Sequence, residues 1–443
     1  MTAPTGVVAP PTAGPGSPIL VRGADLAGGG AADLLVEEGT ITEVGSISSR
    51  RGATVVDADG LIALPGLVDL HTHLREPGRE DAETIASGSA AAAAGGYTAV
   101  LAMANTTPVT DTAEAAERIL DLGRAAALVD VQPVGAVTMG LGGEQLAELG
   151  LMYRSRARVR VFSDDGRCVS DGRVMRRALE YVRAFGGVVS QHAQDPSLAP
   201  AAACCHEGEL SGRLGLTGWP GVAEETIVAR DVMLARHTGS RVHIAHVTTA
   251  GTVDVIRWAK AQGIAVTAEV TPHHLVLTTD LLAGYDPVFK VNPPLRPAED
   301  VEALRAALVD GTIDAVATDH APHARHDKEH AFVDAAFGML GLETALAVVS
   351  DTLVASGRLG WADVGRVMST APARIAGLDG HGLELTVGAP ANLALVDPES
   401  EVTVDRSASA SLSRNNPWHG RTLRGAVQAT MLRGVLTYDR GGR

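Results

Sequence analysis

Between Pro65 and about Gly380 the chain alternates short apolar runs with longer stretches rich in Ala, Leu, Glu and Arg. Eight apolar runs stand out, over residues 67–73, 99–105, 129–138, 159–165, 188–194, 242–247, 265–271 and 315–318. Short apolar runs separated by helical segments are the pattern of repeated βα units and a parallel sheet. Eight units predict an α/β fold of the TIM type, a (β/α)8 barrel over 65–380, although periodicity alone also permits an open doubly wound sheet. The polar residues decide between them. Most of the His, Asp and Asn that interrupt the runs fall at their C-terminal ends, where such a barrel gathers its active site.

The two ends of the chain read differently. Residues 19–21, 33–36, 40–44 and 53–57 are strand-like and separated by glycine-rich breaks, and the style returns at 391–396, 401–404 and 429–434. The expectation is a small composite β domain made from both termini, 18–64 with 381–443. Residues 1–17, rich in Pro, Gly, Ala and Thr, lack a basic start and an apolar core. They predict a flexible tail and no signal peptide.

Composition narrows the function. Aromatic residues make up only 3% of the chain, so the core must be aliphatic and no stacking platform for bases is on offer. A formal net charge of −15 disfavours a nonspecific grip on nucleic acid or an anionic membrane, and no run of about 18 apolar residues is present to span one. Any anionic ligand must be met by local cations. Cys168, Cys204 and Cys205 are odd in number and lack CxxC spacing, which suits reduced thiols in a cytoplasmic protein.

The chemistry starts at Asp69-Leu70-His71-Thr72-His73-Leu74-Arg75. Two histidines two apart on a strand point to the same face, half of a metal site or a hydrogen-bonded pair inside the barrel. Four further run ends favour the metal: Asp164-Asp165, His192, His246 and Asp319. Nitrogen and carboxylate ligands from five strands are what a mononuclear or dinuclear zinc centre requires. His243, His273 and His274 are expected to be structural or supporting groups, His320 likewise, and His326 and His330 solvated. Gly28-Gly29-Gly30 has no helix signal behind it and reads as a turn.

With these residues in place the sequence resembles the amidohydrolase superfamily, and within it the class I dihydroorotases. The resemblance rests on the HxH pair followed by Arg75-Glu76-Pro77-Gly78, on Asn105-Thr106-Thr107-Pro108, on Asn292-Pro293-Pro294-Leu295-Arg296 and on Asp319-His320-Ala321-Pro322-His323. It implies that His71, His73 and Asp319 hold one zinc ion and His192 and His246 another. Asp165 would reach between them, where many members carry a carbamylated lysine. Spacing to His192 favours Asp165 over Asp164, and the short carboxylate leaves one or two Zn2+ per subunit open.

The same resemblance implies reversible cyclisation of N-carbamoyl-L-aspartate to L-dihydroorotate in pyrimidine biosynthesis, with Asp319 as proton shuttle. Arg75 would clamp the substrate carboxylate, its planar fork matching two oxygens, against the plainer reading of a salt bridge to Glu76 or Glu80. Asn105, Asn292 and His323 would bond the carboxylate or ring, and Phe337-Gly338 would line the ring face. A hydantoinase or allantoinase uses the same barrel on another cyclic amide, but such relatives usually lack the arginine and keep the lysine. A non-catalytic homologue that scaffolds aspartate transcarbamoylase commonly loses metal ligands, which are all present here. Partners expected from the resemblance are the small-molecule substrate, further copies of the chain as in a dimer, and aspartate transcarbamoylase.

Overall fold

The computed structural model describes residues 17–441, so the predicted tail lies, but for Ser17, outside the described residues. Among these, no helix is long and apolar enough to cross a membrane. The opening strands are β1 (Ile19–Leu26), β2 (Ala31–Glu37), β3 (Thr40–Gly45), β4 (Thr54–Asp57) and β5 (Ile62–Pro65). The alternating region then supplies β6 (Leu67–Thr72), β7 (Tyr97–Ala102), β8 (Asp130–Pro133), β9 (Val161–Phe162) and β10 (Val188–Gln191). A short pair, β11 (Cys205–His206) and β12 (Gly218–Trp219), precedes β13 (Val242–Ile244), β14 (Val266–Val270) and β15 (Ala315–Val316). The chain closes with β16 (Leu393–Thr403), β17 (Thr422–Leu432) and β18 (Val435–Asp439).

Eight strands of the alternating region run parallel, in two sheets ordered β6-β7-β8 and β15-β14-β13-β10-β9. Parallel bridges meet at both seams, Gly135 with Phe162 and Thr72 with His320. At the second seam the His73 amide donates to the His320 carbonyl at 2.8 Å. β6 is buried at every position, as a strand covered on both faces must be. Helices return the chain between strands, and side-chain oxygens cap their starts: Thr112 for Ala113–Ala126, Asp171 for Gly172–Arg183 and Thr249 for Ala250–Ala261. The core they enclose is aliphatic, with Phe162 and Tyr97 among its few aromatics.

Strands from both ends of the chain share one sheet, in the order β18-β17-β16-β5-β1-β2-β3, with β4 beside β1. Two members, β5 and β18, were not anticipated from the sequence, and the runs at 391–396 and 401–404 are one strand, β16, with an irregular register between Asp397 and Glu401. β5 joins the two ends, pairing with β1 on one side and β16 on the other. The parallel strands are shorter than the apolar runs. The runs over 129–138, 188–194 and 315–318 end as strand at Pro133, Gln191 and Val316, and the residues that follow leave the sheet as largely buried loops that carry polar groups.

Gly95, at the end of helix Ile85–Ala94, is where that helix meets the backbone before the last strands. A Cβ there would strike the Leu342 carbonyl, although its φ of −86° suits any residue. Gly95→Ala is therefore expected to lower the unfolding free energy by about 1–3 kcal/mol through overpacking, read as a lower denaturant midpoint at unchanged m-value.

Candidate metal centre

The chemistry-bearing side chains lie at or just beyond the C-terminal ends of β6, β9, β10, β13 and β15. His71 and His73 share a face of the first strand. The Nε2 of His71 is 3.4 Å from Asp165 Oδ2 and 3.5 Å from Asp319 Oδ1. The Nε2 of His73 is 3.4 Å and 3.0 Å from the same two atoms. On the other side of Asp165, its Oδ1 lies 3.2 Å from both His192 Nδ1 and His246 Nε2, which stand 2.9 Å apart. The Asp165 carboxylate thus divides its two oxygens between two histidine pairs.

Asp164 is elsewhere. Its carboxylate accepts the amides of Val137 and Thr138 at 2.8 and 2.9 Å, together with the Thr138 hydroxyl, and so ties down the loop after β8. Burial pushes the Asp164 carboxyl up, whereas for Asp165 the pull of His71, His192 and His246 outweighs burial and holds it well below the usual range. Asp319 is held low in the same way by His71 and His73 against its own burial.

These positions fit a metal. Ligands about 2.0–2.2 Å from a tetrahedral zinc ion stand about 3.3 Å from one another, close to the separations here. Two groups, His71 with Asp165 and His246, and His71 with His73 and Asp319, converge tightly enough to share an ion. The Nε2 of His71 is fully buried and has no hydrogen-bond partner, a state that buried polar atoms rarely occupy unless an ion or a water completes them.

Supporting residues that the sequence did not flag hold these ligands. Glu269, on β14, accepts from His71 Nδ1 at 2.8 Å and faces His243 Nε2 at 3.1 Å. Against full burial, these two histidines bring the Glu269 carboxyl down to about 2. A carboxylate behind a ligating histidine fixes its tautomer and ring orientation. Asp69 Oδ1 accepts the amides of His71 and Thr318, both at 3.0 Å, and so joins the first strand to the end of the last. Both residues sit inside apolar runs, where an isolated acid carries no spacing signal.

The remaining candidates fall around this centre. Arg75 donates through Nε to the Pro322 carbonyl at 3.0 Å, and no ion pair to Glu76 or Glu80 forms. His323 Nε2 donates to the Phe337 carbonyl at 2.6 Å and lies 3.3 Å from Arg75 Nη2. Burial, with Arg75 beside it, pushes the His323 imidazole down to about 2, so it stays neutral. Asn415, from the segment before β17, bonds the carbonyls of Ala321 and Gly338 and accepts the His323 amide, pinning the Phe337-Gly338 loop. Asn105 Oδ1 sits 3.0 Å from His73 Nδ1, and Asn292 Nδ2 donates to Gln194 Oε1 at 3.3 Å.

His274 bridges Thr271 and the Pro293 carbonyl, and His320 faces Glu83 at 3.3 Å. His273 is buried with Nε2 unpartnered, and burial lowers it to about 4. His326 is exposed, near Asp81 and Asp327. The backbones of Arg75, His246 and Asp319 adopt φ of 61°, 32° and 46°, a left-handed strain that clusters at functional sites.

The family model described as Dihydro-orotase-like matches residues 60–252, and that of the Amidohydrolase family matches 221–437. The chain is 62% identical over 418 residues to the dihydroorotase of Leifsonia xyli subsp. xyli, covering 94% of this chain and 95% of that protein. It is 58% identical over 421 residues to the dihydroorotase of Streptomyces coelicolor, covering 95% and 98%. Among solved structures, the L-hydantoinase of Arthrobacter aurescens superposes with a TM-score of 0.85 at 27% identity over 96% of both chains. The dihydropyrimidinase of Brevibacillus agri superposes with a TM-score of 0.83 at 22% identity over 95% and 94%, a likeness of fold. Identity of this order over nearly the whole length, on a chain whose strand ends converge on one nest of histidines and aspartates, places it in the dihydroorotase family of the amidohydrolases.

Proposed function

We propose that the chain is a zinc-dependent dihydroorotase that interconverts N-carbamoyl-L-aspartate and L-dihydroorotate. The observation that carries the proposal is the Asp165 carboxylate divided between His71/His73 and His192/His246, with Asp319 beside the first pair. In this reading His71, His73 and Asp319 would hold one ion and His192 and His246 a second, with Asp165 facing both groups. Zinc in such a nest supplies a nucleophile at neutral pH, because it lowers the pKa of its water from 15.7 to about 7.

The chain's own residues do the rest. Arg75 binds the substrate carboxylate through the Nη groups that Pro322 leaves free. The neutral His323 and the Phe337-Gly338 loop border the ring. Asp319, 3.0 Å from His73 Nε2 at the edge of the nest, carries the proton to the leaving ring nitrogen in hydrolysis and removes it in ring closure. The fold that accompanies this reading is a closed (β/α)8 barrel over 65–380, supported by the bridges at both seams. The shared sheet of 18–64 and 381–443 forms the second, composite unit.

Purified protein with zinc is expected to form dihydroorotate from carbamoyl-aspartate. Closure consumes one proton, so the equilibrium ratio of ring to open chain should rise about tenfold for each pH unit of acidification. Turnover of hydantoin or allantoin without turnover of dihydroorotate would overturn the assignment. Asp319→Asn should lower kcat by about 10²–10⁴-fold with most zinc retained by metal analysis; a near-normal rate removes the proton-shuttle role. Glu269→Gln should weaken zinc binding to the metal-free protein by about 10–100-fold in chelator competition, with circular dichroism unchanged.

A further inference from the structure

Two asparagines border the candidate site, Asn105 tied directly to His73 and Asn292 tied through Gln194 to His192, and each is left with one amide end free. The ties differ in sense. His73 turns Nε2 to the acidic pair Asp165 and Asp319; with that nitrogen given to an ion in the nest, its proton would sit on Nδ1 and be donated to Asn105 Oδ1, 3.0 Å away. The carbonyl end of Asn105 is thereby used, and its Nδ2, a donor, remains available. No acceptor for that Nδ2 appears among the described residues.

His192 faces the nest through the opposite atom. Its Nδ1 lies toward Asp165 and His246; with that nitrogen given to an ion, the proton would sit on Nε2 and be donated to Gln194 Oε1, 2.8 Å away. The same oxygen accepts from Asn292 Nδ2 at 3.3 Å. Gln194 therefore spends its carbonyl on two donors and reverses the polarity passed along the chain of bonds. Asn292 is left with its amide nitrogen engaged and its Oδ1 buried and without a partner. A buried acceptor with nothing to accept costs the desolvation of that group, and a substrate N–H would relieve it.

We propose that His73 and His192 set the amide polarity of Asn105 and Asn292 in opposite senses, and that Gln194 is the positioning residue that makes Asn292 an acceptor. Asn105 then offers a donor to the substrate carboxylate beside Arg75, and Asn292 offers an acceptor to a ring N–H. A carboxylate cannot bond to Asn292 Oδ1, because both are acceptors. The sequence left both asparagines open to carboxylate or ring, and the bond directions separate them. A site whose buried acceptor expects an N–H rejects a ring that lacks one, because the acceptor is then left unpaired. This inference rests on the dihydroorotase reading.

The test compares dihydroorotate with analogues carrying a ring oxygen in place of either ring N–H, as competitors at initial rates, in the zinc-loaded wild type, Gln194→Glu and Gln194→Met. Wild type should prefer dihydroorotate over at least one oxygen analogue by about 10–100-fold. Gln194→Glu keeps an acceptor at that place and should keep the preference. Gln194→Met frees Asn292 to turn its Nδ2 inward, so the preference should move by at least about tenfold toward the oxygen analogue. Zinc affinity of the metal-free Met variant, measured by chelator competition, should fall about tenfold, while the Glu variant holds it.

An unchanged preference in Gln194→Met overturns the polarity assignment, whatever happens to kcat, since a merely structural residue weakens both ligands together. Failure of the wild type to bind dihydroorotate at all overturns the functional reading, and the polarity assignment with it. Wild-type binding with an unmoved preference in the Met variant sinks the polarity assignment alone.

Discussion

The site depends on one carboxylate serving two sides. Asp165 presents Oδ2 to His71 and His73 and Oδ1 to His192 and His246, with all four distances between 3.2 and 3.4 Å. A longer side chain at this position would reach between the two histidine pairs from further back; an aspartate must be brought up by the backbone itself. Burying four imidazoles and two carboxylates without cations to neutralise the acids is expensive in a low dielectric. The arrangement therefore makes physical sense as a nest for divalent cations. The left-handed backbone at His246 and Asp319 belongs to the same requirement, since both residues leave their strands at an angle that regular extended geometry does not give.

Around that nest the hydrogen bonds run outward with fixed direction. Three of the four nest histidines turn one nitrogen inward and meet a side-chain oxygen with the other: His71 at Glu269, His73 at Asn105, His192 at Gln194. Glu269, on β14, rests in turn against His243 on the adjacent β13, so histidines of two strands that do not pair with each other share one acid. Asp69 does comparable work in the backbone, holding the amide of His71 and that of Thr318 to one oxygen. These bonds convert the choice of the inward nitrogen into the orientation of groups two bonds away.

Much of this was legible in the sequence because parallel strands buried on both faces write long apolar runs, and polar residues at the run ends are conspicuous against them. The histidines at 71, 73, 192 and 246 and the aspartates at 165 and 319 were visible for that reason. The strand ends themselves were not, since Val134 to Val137 continue the apolar run beyond β8, and the residues after β10 and β15 follow their strands without a turn signal. β5 was hidden because only Gly66 separates Ile62–Pro65 from β6, and β18 because Val435 follows β17 after only two residues. Glu269 and Asp69 were invisible for a different reason. Their partners lie on other strands, and pairing across strands leaves no periodic trace in one sequence.

The same distinction explains why Gln194 escaped notice although it stands two residues after a predicted ligand. Sequence spacing places a side chain near a site but says nothing of the direction in which its hydrogen bonds run. Direction comes from the ligand histidines, whose inward nitrogens differ: Nε2 for His73 and Nδ1 for His192. That single difference, with one intervening amide, turns two chemically identical asparagines into a donor and an acceptor. Residue type therefore names the groups at such a site, while the direction of their hydrogen bonds determines what each group can recognise.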